Sequence, residues 1–327
     1  MIFKNPQALR KRIAEVTGRE APDKIDIFED TSAFMSINVG DVVRLAGSDY
    51  LITGHAREGR FGIDEQPKFW VKKAVDLGTG QRKIIKMVFR ETFSSKIGEV
   101  VFRCLRSPEK ESEILQKIHE HPNFMHGESA RDAAGNLVRV IDFISGPSLY
   151  DYLRRQNVSH EAYYRQNLST IMQLLIACIE GIAHLHKQGL HHGDIRADHI
   201  IINSQTGAYV WIDFDFEVGS LNYDVFGLGN VLLQAVGKGR HSLYDIRLRP
   251  SDYPDFKNTL ISNDMSLMFR HRIANLRKLY PYISEALNEI LMRFSVGAAD
   301  PYENVDSLLE DLHFLFPFDR CNTSRAL

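Results

Sequence analysis

The sequence predicts an α+β fold in which a β-rich first half with one main helix precedes an α-helical second half. Three observations predict it. Strand-like runs of β-branched and aromatic residues follow one another between residues 41 and 89. A capped helix interrupts this pattern after Ser107, and long apolar runs with helical spacing dominate after Gly146. We therefore expect the architecture to change near residues 145–148.

In the first half, residues 1–42 contain a short helix, "PQALRKRIAEV", and a polar connector, which we interpret as an N-terminal extension. The strands "DVVRLAGSDYLITG", "KFWVKKAVDL" and "RKIIKMVF" follow, and "GTG" predicts a hairpin turn between the last two. The main helix begins after Ser107, a good N-cap, with Pro108 in its first turn. The strand "NLVRVIDFISG" ends the first domain, which we place at residues 43–145.

In the second half, "SLYDYLRR" predicts a short helix and "NLSTIMQLLIACIEGIAHLHKQG" a long one that ends at Gly189. Two short apolar strands, "HIIIN" and "YVWIDF", are joined by a turn at "SQTG". Four helical segments follow: "DVFGLGNVLLQAV", "MFRHRIANLRKLY", "ISEALNEILMRF" and "VDSLLEDLHFLF". We expect this domain to span residues 146–318 and residues 319–327 to form a frayed tail.

The composition indicates a protein with a sizeable core and no bias toward polyanionic partners. The 327-residue chain is 44% hydrophobic, and its 40 Lys and Arg nearly balance its 42 Asp and Glu. This balance gives no global reason to expect nucleic acid or an anionic membrane. The three cysteines lack metal-ligand spacing and suit a reducing compartment. Because Gln173 and Glu180 interrupt the most apolar helix, we expect a core helix, no membrane span and a cytoplasmic location.

Acids are concentrated in the stretch "HHGDIRADHIIINSQTGAYVWIDFDF", where Asp194, Asp198, Asp213 and Asp215 lie among aliphatic runs. "HGDIRADHIII" resembles the catalytic loop of eukaryotic-type protein kinases, H-R-D-L-x-x-x-N, and "WIDFDF" resembles their D-F-G motif. "YDVFGLGNVLL" is similar to the helix whose aspartate, here Asp224, braces that loop. The resemblance runs from about residue 50 to about residue 315. It implies the bilobal protein kinase-like fold, with a β-rich N-lobe and an α-helical C-lobe, in a divergent, bacterial member of the family.

This resemblance implies phosphoryl transfer from ATP, which depends mainly on positioning and charge neutralisation. Asp213 would hold Mg²⁺, with Mn²⁺ as the alternative, and Asp194 would orient the acceptor hydroxyl and take its proton. Lys86, in "KIIK", would contact the α- and β-phosphates. Glu111 best matches the glutamate that pairs with this lysine, since Glu113 would point to another side of the helix.

Strand alternation puts the rival lysine, Lys83, on the face opposite to Lys86. The glycines of "GHAREGRFG", among them Gly59 and Gly62, depart from G-x-G-x-x-G spacing. They would either cradle phosphates through backbone N–H groups or serve as hairpin turn residues.

The segment "VIDFISGPSL" resembles the kinase hinge, where adenine would bond to the backbone of Asp142 and Ile144. Ile84 stands where the family usually has alanine. A bulkier side chain would therefore cover the adenine.

Several residues depart from the family pattern. His199 replaces the asparagine that binds a second metal; it would either ligate a divalent ion or act as a hydrogen-bonded structural histidine. Asp215 replaces the D-F-G glycine and would either add a carboxylate to the metal site or be a turn acid. Gly193 replaces the arginine of H-R-D, which implies that no phosphorylated activation loop is clamped there. "HGD" is also usual in small-molecule kinases.

Only "FDFEVGSLNY" separates Asp213 from Asp224, whereas kinases that act on peptides usually have a longer activation segment. Arg196, however, matches the lysine typical of Ser/Thr protein kinases and would stabilise the transferring phosphoryl group. We predict an ATP-dependent phosphotransferase resembling a Ser/Thr protein kinase, with ATP as one partner and a protein or small-molecule hydroxyl acceptor. The alternatives are a small-molecule, lipid or sugar kinase on the same fold, or a nucleotide-binding pseudokinase scaffold.

Overall fold

The computed structural model describes residues 1–60 and 63–317, which form two compact units. Unit 1 consists of residues 1–91, 106–120 and 125–144. Unit 2 consists of residues 92–105, 121–124 and the chain from residue 145 onward. Unit 1 is built on one large sheet and unit 2 is mainly helical, so the predicted α+β fold is confirmed.

Strands and helices are numbered in chain order over the described residues. The strands are β1 (Ile27–Phe28), β2 (Val42–Leu45), β3 (Ser48–Arg60), β4 (Ile63–Asp76), β5 (Arg82–Lys86), β6 (Thr92–Ile97), β7 (Val100–Arg106), β8 (Gly127–Arg131), β9 (Leu137–Asp142), β10 (Ile200–Ile202), β11 (Tyr209–Trp211) and β12 (Phe216–Glu217). The α-helices are α1 (Pro6–Thr17), α2 (Pro108–Lys117), α3 (Leu149–Arg155), α4 (His160–Gln166), α5 (Leu168–Lys187), α6 (Asn222–Val236), α7 (Leu243–Leu248), α8 (Glu285–Met292) and α9 (Val305–Leu315).

The sheet of unit 1 has the strand order β1-β2-β3-β4-β5-β9-β8. Its pairs are antiparallel except for β1 with β2. One face buries aliphatic side chains such as Val43, Ile52, Ile85 and Val140, and their removal from water stabilises the unit. Lys86 follows Ile85 at the end of β5 and is only 1% exposed, so a charged side chain is buried next to this core.

Residues 1–42 are an integral part of unit 1. Asn5 caps α1 by accepting a hydrogen bond from a backbone N–H two residues on. Leu9 and Ile13 of this helix lie in a buried cluster with Val42 and Leu51. The segment that the sequence sets apart as an extension therefore contributes to the core and braces the first strands of the sheet.

Unit 2 is arranged around α5 and the short antiparallel pair β10 and β11. Ile200 lies opposite Trp211 in this pair, and the buried Trp211 indole donates to the carbonyl of Cys178 on α5 (2.8 Å). Just beyond the paired residues, the Ile212 N–H donates to the carbonyl of His199 (2.9 Å). The residue before β10 and the residues after β11 therefore lie side by side.

Among the described residues, one helix, α5, is long and apolar enough to cross a membrane by length and composition. In the structure, 61% of this apolar window is buried. The helix contacts α6, α9 and β11, as the central helix of a globular unit does.

The structure adds a hairpin, β6 and β7, that the motif analysis does not predict. The chain turns at Gly98, which has a φ of 58°, and β7 pairs with β12 in a three-stranded sheet. Side chains of "VVFRCLR" alternate between buried and exposed from residue 101 onward, the pattern of a half-buried strand. Because the hairpin packs on β12, residues 92–105 belong to unit 2, and the predicted domain 43–145 is not one continuous unit.

Candidate functional site

Lys86 and Glu111 form a buried ion pair in unit 1. The Lys86 Nζ lies 2.6 Å from Glu111 Oε1, and both residues are at most 1% exposed. Arg139 donates from Nε to the other Glu111 oxygen at 3.1 Å and also donates to the carbonyl of Leu137 (2.8 Å). One carboxylate therefore compensates two buried cations and holds the Lys86 ammonium group in place.

The position of Glu111 follows from the local structure of α2. The Ser107 hydroxyl caps the helix, so Glu111 lies in the first turn, where the helix dipole favours a carboxylate. Glu113 lies on another side of the helix and pairs with Lys117 at the surface (2.9 Å). The structure thus brings Lys86 together with Glu111 and not with Glu113.

The predicted hinge follows β9. The Asp142 N–H donates to the carbonyl of His126 (2.9 Å), so adenine recognition at Asp142 would fall to its carbonyl oxygen. The Asp142 carboxylate pairs with Lys83, which therefore lies apart from the buried Lys86. Ile84 is half-buried on β5, and Ile144 is the last residue of unit 1.

The glycine-rich segment is described only in part. Gly59 is the penultimate residue of β3, whereas Gly62 lies outside the described residues. Pairing of β3 with β4 extends to Arg60 and Ile63, so Gly59 belongs to the end of a long hairpin. Phosphate binding by these glycines stays a prediction.

In unit 2, the Asp224 carboxylate holds the loop that carries Asp194. Asp224 is fully buried on α6 and accepts from the N–H groups of His192 (2.6 Å) and Gly193 (2.7 Å). The Nε2 atom of His186 lies 3.0 Å from the same carboxylate. Gly193 has a φ of 84°, in the left-handed region that favours glycine. Glycine at this position therefore serves the backbone shape of the loop.

His199 lies between Asp194 and Asp213. Its Nδ1 is 2.9 Å from the Asp194 carbonyl oxygen and 3.5 Å from the Asp194 carboxylate, and its Nε2 is 3.8 Å from the Asp213 carboxylate. The histidine is buried, whereas each carboxylate side chain is 20% exposed. The adjacent ends of β10 and β11 bring these three predicted site residues together.

Asp213 has an unusual backbone conformation. Its φ is 62°, in the left-handed region that non-glycine residues rarely adopt. Such a conformation costs about 1–3 kcal/mol and persists only where the surroundings hold it. Here the next residue, Phe214, is fully buried and contacts the rings of Phe124 and His192 edge-on. The packing of Phe214 therefore holds the Asp213 backbone in this conformation.

Two predicted site residues lie in surroundings that the sequence did not anticipate. Arg196 pairs with Asp198 through two of its guanidinium nitrogens, so its charge is already shared with a carboxylate of the same loop. Burial opposes ionisation of Asp198, but His199 and Arg196 hold its pKa below the ordinary value, which keeps the pair charged.

Asp215 is the second of these residues. It is only 1% exposed, so it is a buried acid and not one at the surface, and its role in metal binding stays a prediction.

Within residues 1–60 and 63–317, no group of three or more His, Cys, Asp or Glu side chains is arranged to hold a metal ion by itself. Mg²⁺ usually binds through one or two carboxylates together with substrate phosphates, so Asp213 fits a metal that is held jointly with a nucleotide. The contact of His199 Nδ1 with a backbone carbonyl is also typical of metal-binding histidines, in which it orients the other nitrogen.

Arg139 is a member of the buried charge cluster that the sequence reasoning missed. The available signal was an arginine inside the apolar strand "NLVRVID", since a buried arginine requires a partner. Arg139 and Lys86 occupy opposite positions on the neighbouring strands β9 and β5. This adjacency arises from sheet register between segments more than 50 residues apart, which no local pattern reveals.

Comparisons with known proteins agree with this geometry. The model of the protein kinase domain matches residues 69–232, half of the chain. The Schizosaccharomyces pombe serine/threonine-protein kinase cds1 is 24% identical over 192 residues, which are 59% of this chain and 35% of that protein. A probable myosin light chain kinase of Dictyostelium discoideum is 22% identical over 204 residues, which are 61% of this chain and 56% of that protein. The chain thus spans about half or less of these relatives, and it belongs to the protein kinase domain family.

Proposed function

We propose that the chain is an ATP-dependent protein kinase that transfers the γ-phosphate of ATP to a Ser or Thr hydroxyl. The observation that carries this proposal is the grouping of Asp194, His199 and Asp213, in which the buried Asp224 holds the loop that carries Asp194. The names of the related proteins, which are protein kinases, support a protein acceptor over a small molecule.

Each residue has a chemical task in this proposal. Asp213 and His199 would hold a divalent ion, for which Mg²⁺ is our first choice and Mn²⁺ our second. Such an ion neutralises the charge of the phosphates when it is bound. Asp194 would orient the acceptor hydroxyl and accept its proton, because its carboxylate is partly exposed on a rigid loop.

Lys86 would contact the α- and β-phosphates. Its ammonium group is positioned by Glu111, and Arg139 shares that carboxylate. A cation fixed in advance loses less conformational freedom when it meets a phosphate, which favours binding. The backbone of Asp142 and Ile144 and the side chain of Ile84 would accommodate the adenine.

The decisive experiment measures transfer of label from ATP to protein with parent and Asp213→Asn proteins. We expect the variant to lose phosphoryl transfer while it keeps its far-UV circular dichroism and its cooperative unfolding. Asp306→Asn is the matched control, since Asp306 is 59% exposed and pairs with Lys187 at the surface. Parental turnover by Asp213→Asn would exclude the proposed metal site.

Thermal unfolding with ATP and either Mg²⁺ or Mn²⁺ tests the nucleotide site separately. A ligand that binds only the native state raises the unfolding temperature by mass action. We expect a shift that requires both nucleotide and metal and is diminished in Lys86→Met. A shift without measurable transfer would instead favour the pseudokinase alternative.

A further inference from the structure

A cavity of about 1090 Å³ lies in unit 2, outside the residues assigned above. Its walls come from α3, the start of α4 and the chain from residue 237 to residue 282. Most of this wall lies beyond residue 232, where the match to the protein kinase domain ends. Most of the cavity wall therefore lies outside the segment that the protein kinase domain model matches.

Three of the four acids that line the cavity have an arginine partner. Asp245 and Asp252 each lie 3.5 Å from the guanidinium group of Arg249. Glu161 pairs with an arginine one turn further along α4, and Asp255 is exposed to solvent. Because Asp245 and Asp252 share one arginine, the charge of these acids is only partly compensated.

Two arginines of the cavity have only neutral partners. Arg240 donates from Nε to the side-chain oxygen of Gln234 (3.2 Å), and its guanidinium carbon lies 4.5 Å from the centre of the Tyr150 ring. Arg272 donates to the side-chain oxygen of Asn230 (2.7 Å). Within the described part of the chain, no carboxylate lies at ion-pair distance from either arginine.

The surroundings of Arg272 disfavour its charge, although Tyr150 and Asp198 partly offset this effect. Burial, and then the charge of Arg240, lowers the pKa of Arg272 to about 10. Burial likewise lowers the pKa of His271, and both arginines add to this effect. A bound anion would relieve this repulsion and accept charge-assisted hydrogen bonds from the guanidinium groups.

Arg272 lies near the loop that carries Asp194, since Asp198 and Arg196 of that loop act on its charge. The helix α3 packs against the turn at residues 197–199. Asn230, the partner of Arg272, lies on α6, and Gly227 of the same helix approaches Ile195 so closely that an added Cβ would lie 2.6 Å from it. A group bound by the cluster would therefore lie near the loop that carries the proposed base.

We propose that Arg240, Arg272 and the Tyr150 ring form a subsite for a carboxylate or phosphate on the acceptor peptide, next to the hydroxyl that receives the phosphate. The inference rests on the proposed function and adds to it a substrate class, an acidic or already phosphorylated peptide. The cavity volume of about 1090 Å³ is at the upper end of the range for ligand sites, about 300–1,000 Å³, and leaves room for a peptide side chain. Guanidinium groups suit both anions, because two parallel N–H groups can donate to two oxygens of one carboxylate or phosphate group.

A binding measurement that needs no catalysis tests the subsite first. Fluorescent serine peptides flanked by Ala, Glu, phosphoserine or Lys are titrated with the full chain, and anisotropy is recorded. We expect the Glu and phosphoserine peptides to bind at least about tenfold more tightly than the Ala peptide, as one charged hydrogen bond allows. Equal binding of the Glu and phosphoserine peptides identifies an acidic acceptor, and a clear preference for phosphoserine identifies an already phosphorylated one.

Variants then assign the effect to the cluster. Arg240→Ala removes an exposed arginine, and Arg272→Gln keeps a donor while it removes the charge. Both are expected to reduce the ratio of Glu-peptide to Ala-peptide affinity to about one. Arg247→Ala is the matched control, since Arg247 is an exposed arginine of the same unit that does not line the cavity. Unfolding curves of each variant separate a loss of binding from a loss of folding.

Peptide phosphorylation distinguishes this inference from the proposed function. If the parent phosphorylates the peptides, the acidic preference should appear in KM, and Arg240→Ala should remove it. If the parent transfers no phosphate to any acceptor, the proposed function is wrong. The anisotropy titrations still test the subsite, because peptide binding does not require catalysis. Equal affinity for all peptides, a preference for Lys peptides, or an acidic preference that survives both substitutions would overturn the inference.

Discussion

At the residue scale, the Lys86, Glu111 and Arg139 cluster shows how one buried carboxylate can organise a site. Charges removed from water are costly unless they are paired, and here one acid pairs with two cations. A protein tolerates this cost where the buried carboxylate positions a functional group, here the ammonium group of Lys86. This arrangement predicts that the three residues contribute unequally to stability.

Glu111→Ala should be the most damaging substitution of the cluster. It removes the carboxylate shared by Lys86 and Arg139, and breaking a buried ion pair costs about 3–5 kcal/mol of unfolding free energy. Urea unfolding of Glu111→Ala and Glu113→Ala provides the test on one helix. The exposed Glu113 pair should be worth about 1 kcal/mol or less. Similar losses for the two variants would contradict this account.

His160 is a buried histidine whose titration should weaken the protein in acid. It stacks on Tyr280 with ring centres 3.5 Å apart, and it contacts the carbonyl of Val236. Burial lowers the pKa of His160 to about 3, whereas an unfolded imidazole titrates near about 6.5. In acid the native state therefore binds fewer protons than the unfolded state. The contribution of His160 to the unfolding free energy is fully present above the pKa of the unfolded imidazole and is lost as the pH falls below it.

Unfolding free energies measured from pH 7 to pH 4.5 test this expectation. The parent should lose stability more steeply than His160→Gln, by at most about 1.4 kcal/mol per pH unit for one group. His119→Gln, which alters an exposed histidine, should retain the parental slope. Parallel curves for the parent and His160→Gln would show that this residue does not titrate in the expected way.

At the element scale, the β6–β7 hairpin determines the surroundings of the segment after Asp213. Its side chains Phe102 and Cys104 share a buried cluster with Phe216, and Phe102 packs on the ring of Tyr223 (5.1 Å). A strand as short as β12 has little stability alone, so we attribute its order to this pairing.

Phe102→Ala should therefore loosen β12 as well as the hairpin. Truncation of a buried phenylalanine typically costs about 3–5 kcal/mol. Hydrogen exchange at residues 216–218 should accelerate, and phosphoryl transfer should fall with it. Val101→Ala is the control on the same strand, since Val101 is 63% exposed. Unchanged exchange at β12 in Phe102→Ala would show that the segment is held by other contacts.

At the scale of the whole molecule, the chain passes between the two units several times, because residues 92–105 and 121–124 belong to unit 2. A fragment that begins at Ser145 would lack the hairpin and also Asn123, which donates to the carbonyl of Tyr209 (2.8 Å). We expect such a fragment to unfold without a cooperative transition, in contrast to the full chain. Calorimetry of both proteins is the measurement, and a sharp transition of the fragment would contradict it.

The sequence by itself determined the features that depend on local spacing. The α+β order and the capped start of α2 follow from patterns a few residues long, as does the placement of Lys83 and Lys86 on opposite faces of β5. The kinase family followed from three ordered motifs. In each case the determining residues are neighbours in the chain, so propensity and periodicity carry the information.

Only the tertiary structure decided which distant groups meet. Arg139 lies opposite Lys86 through sheet register, and β12 pairs with a hairpin that precedes it by more than 100 residues. Arg272 and Arg240 line the same cavity although they are distant in the chain. These contacts are set by the burial of apolar surface and by the compensation of charges across the fold. No local sequence pattern predicts these contacts, because the partners come together only when the hydrophobic cores form during folding.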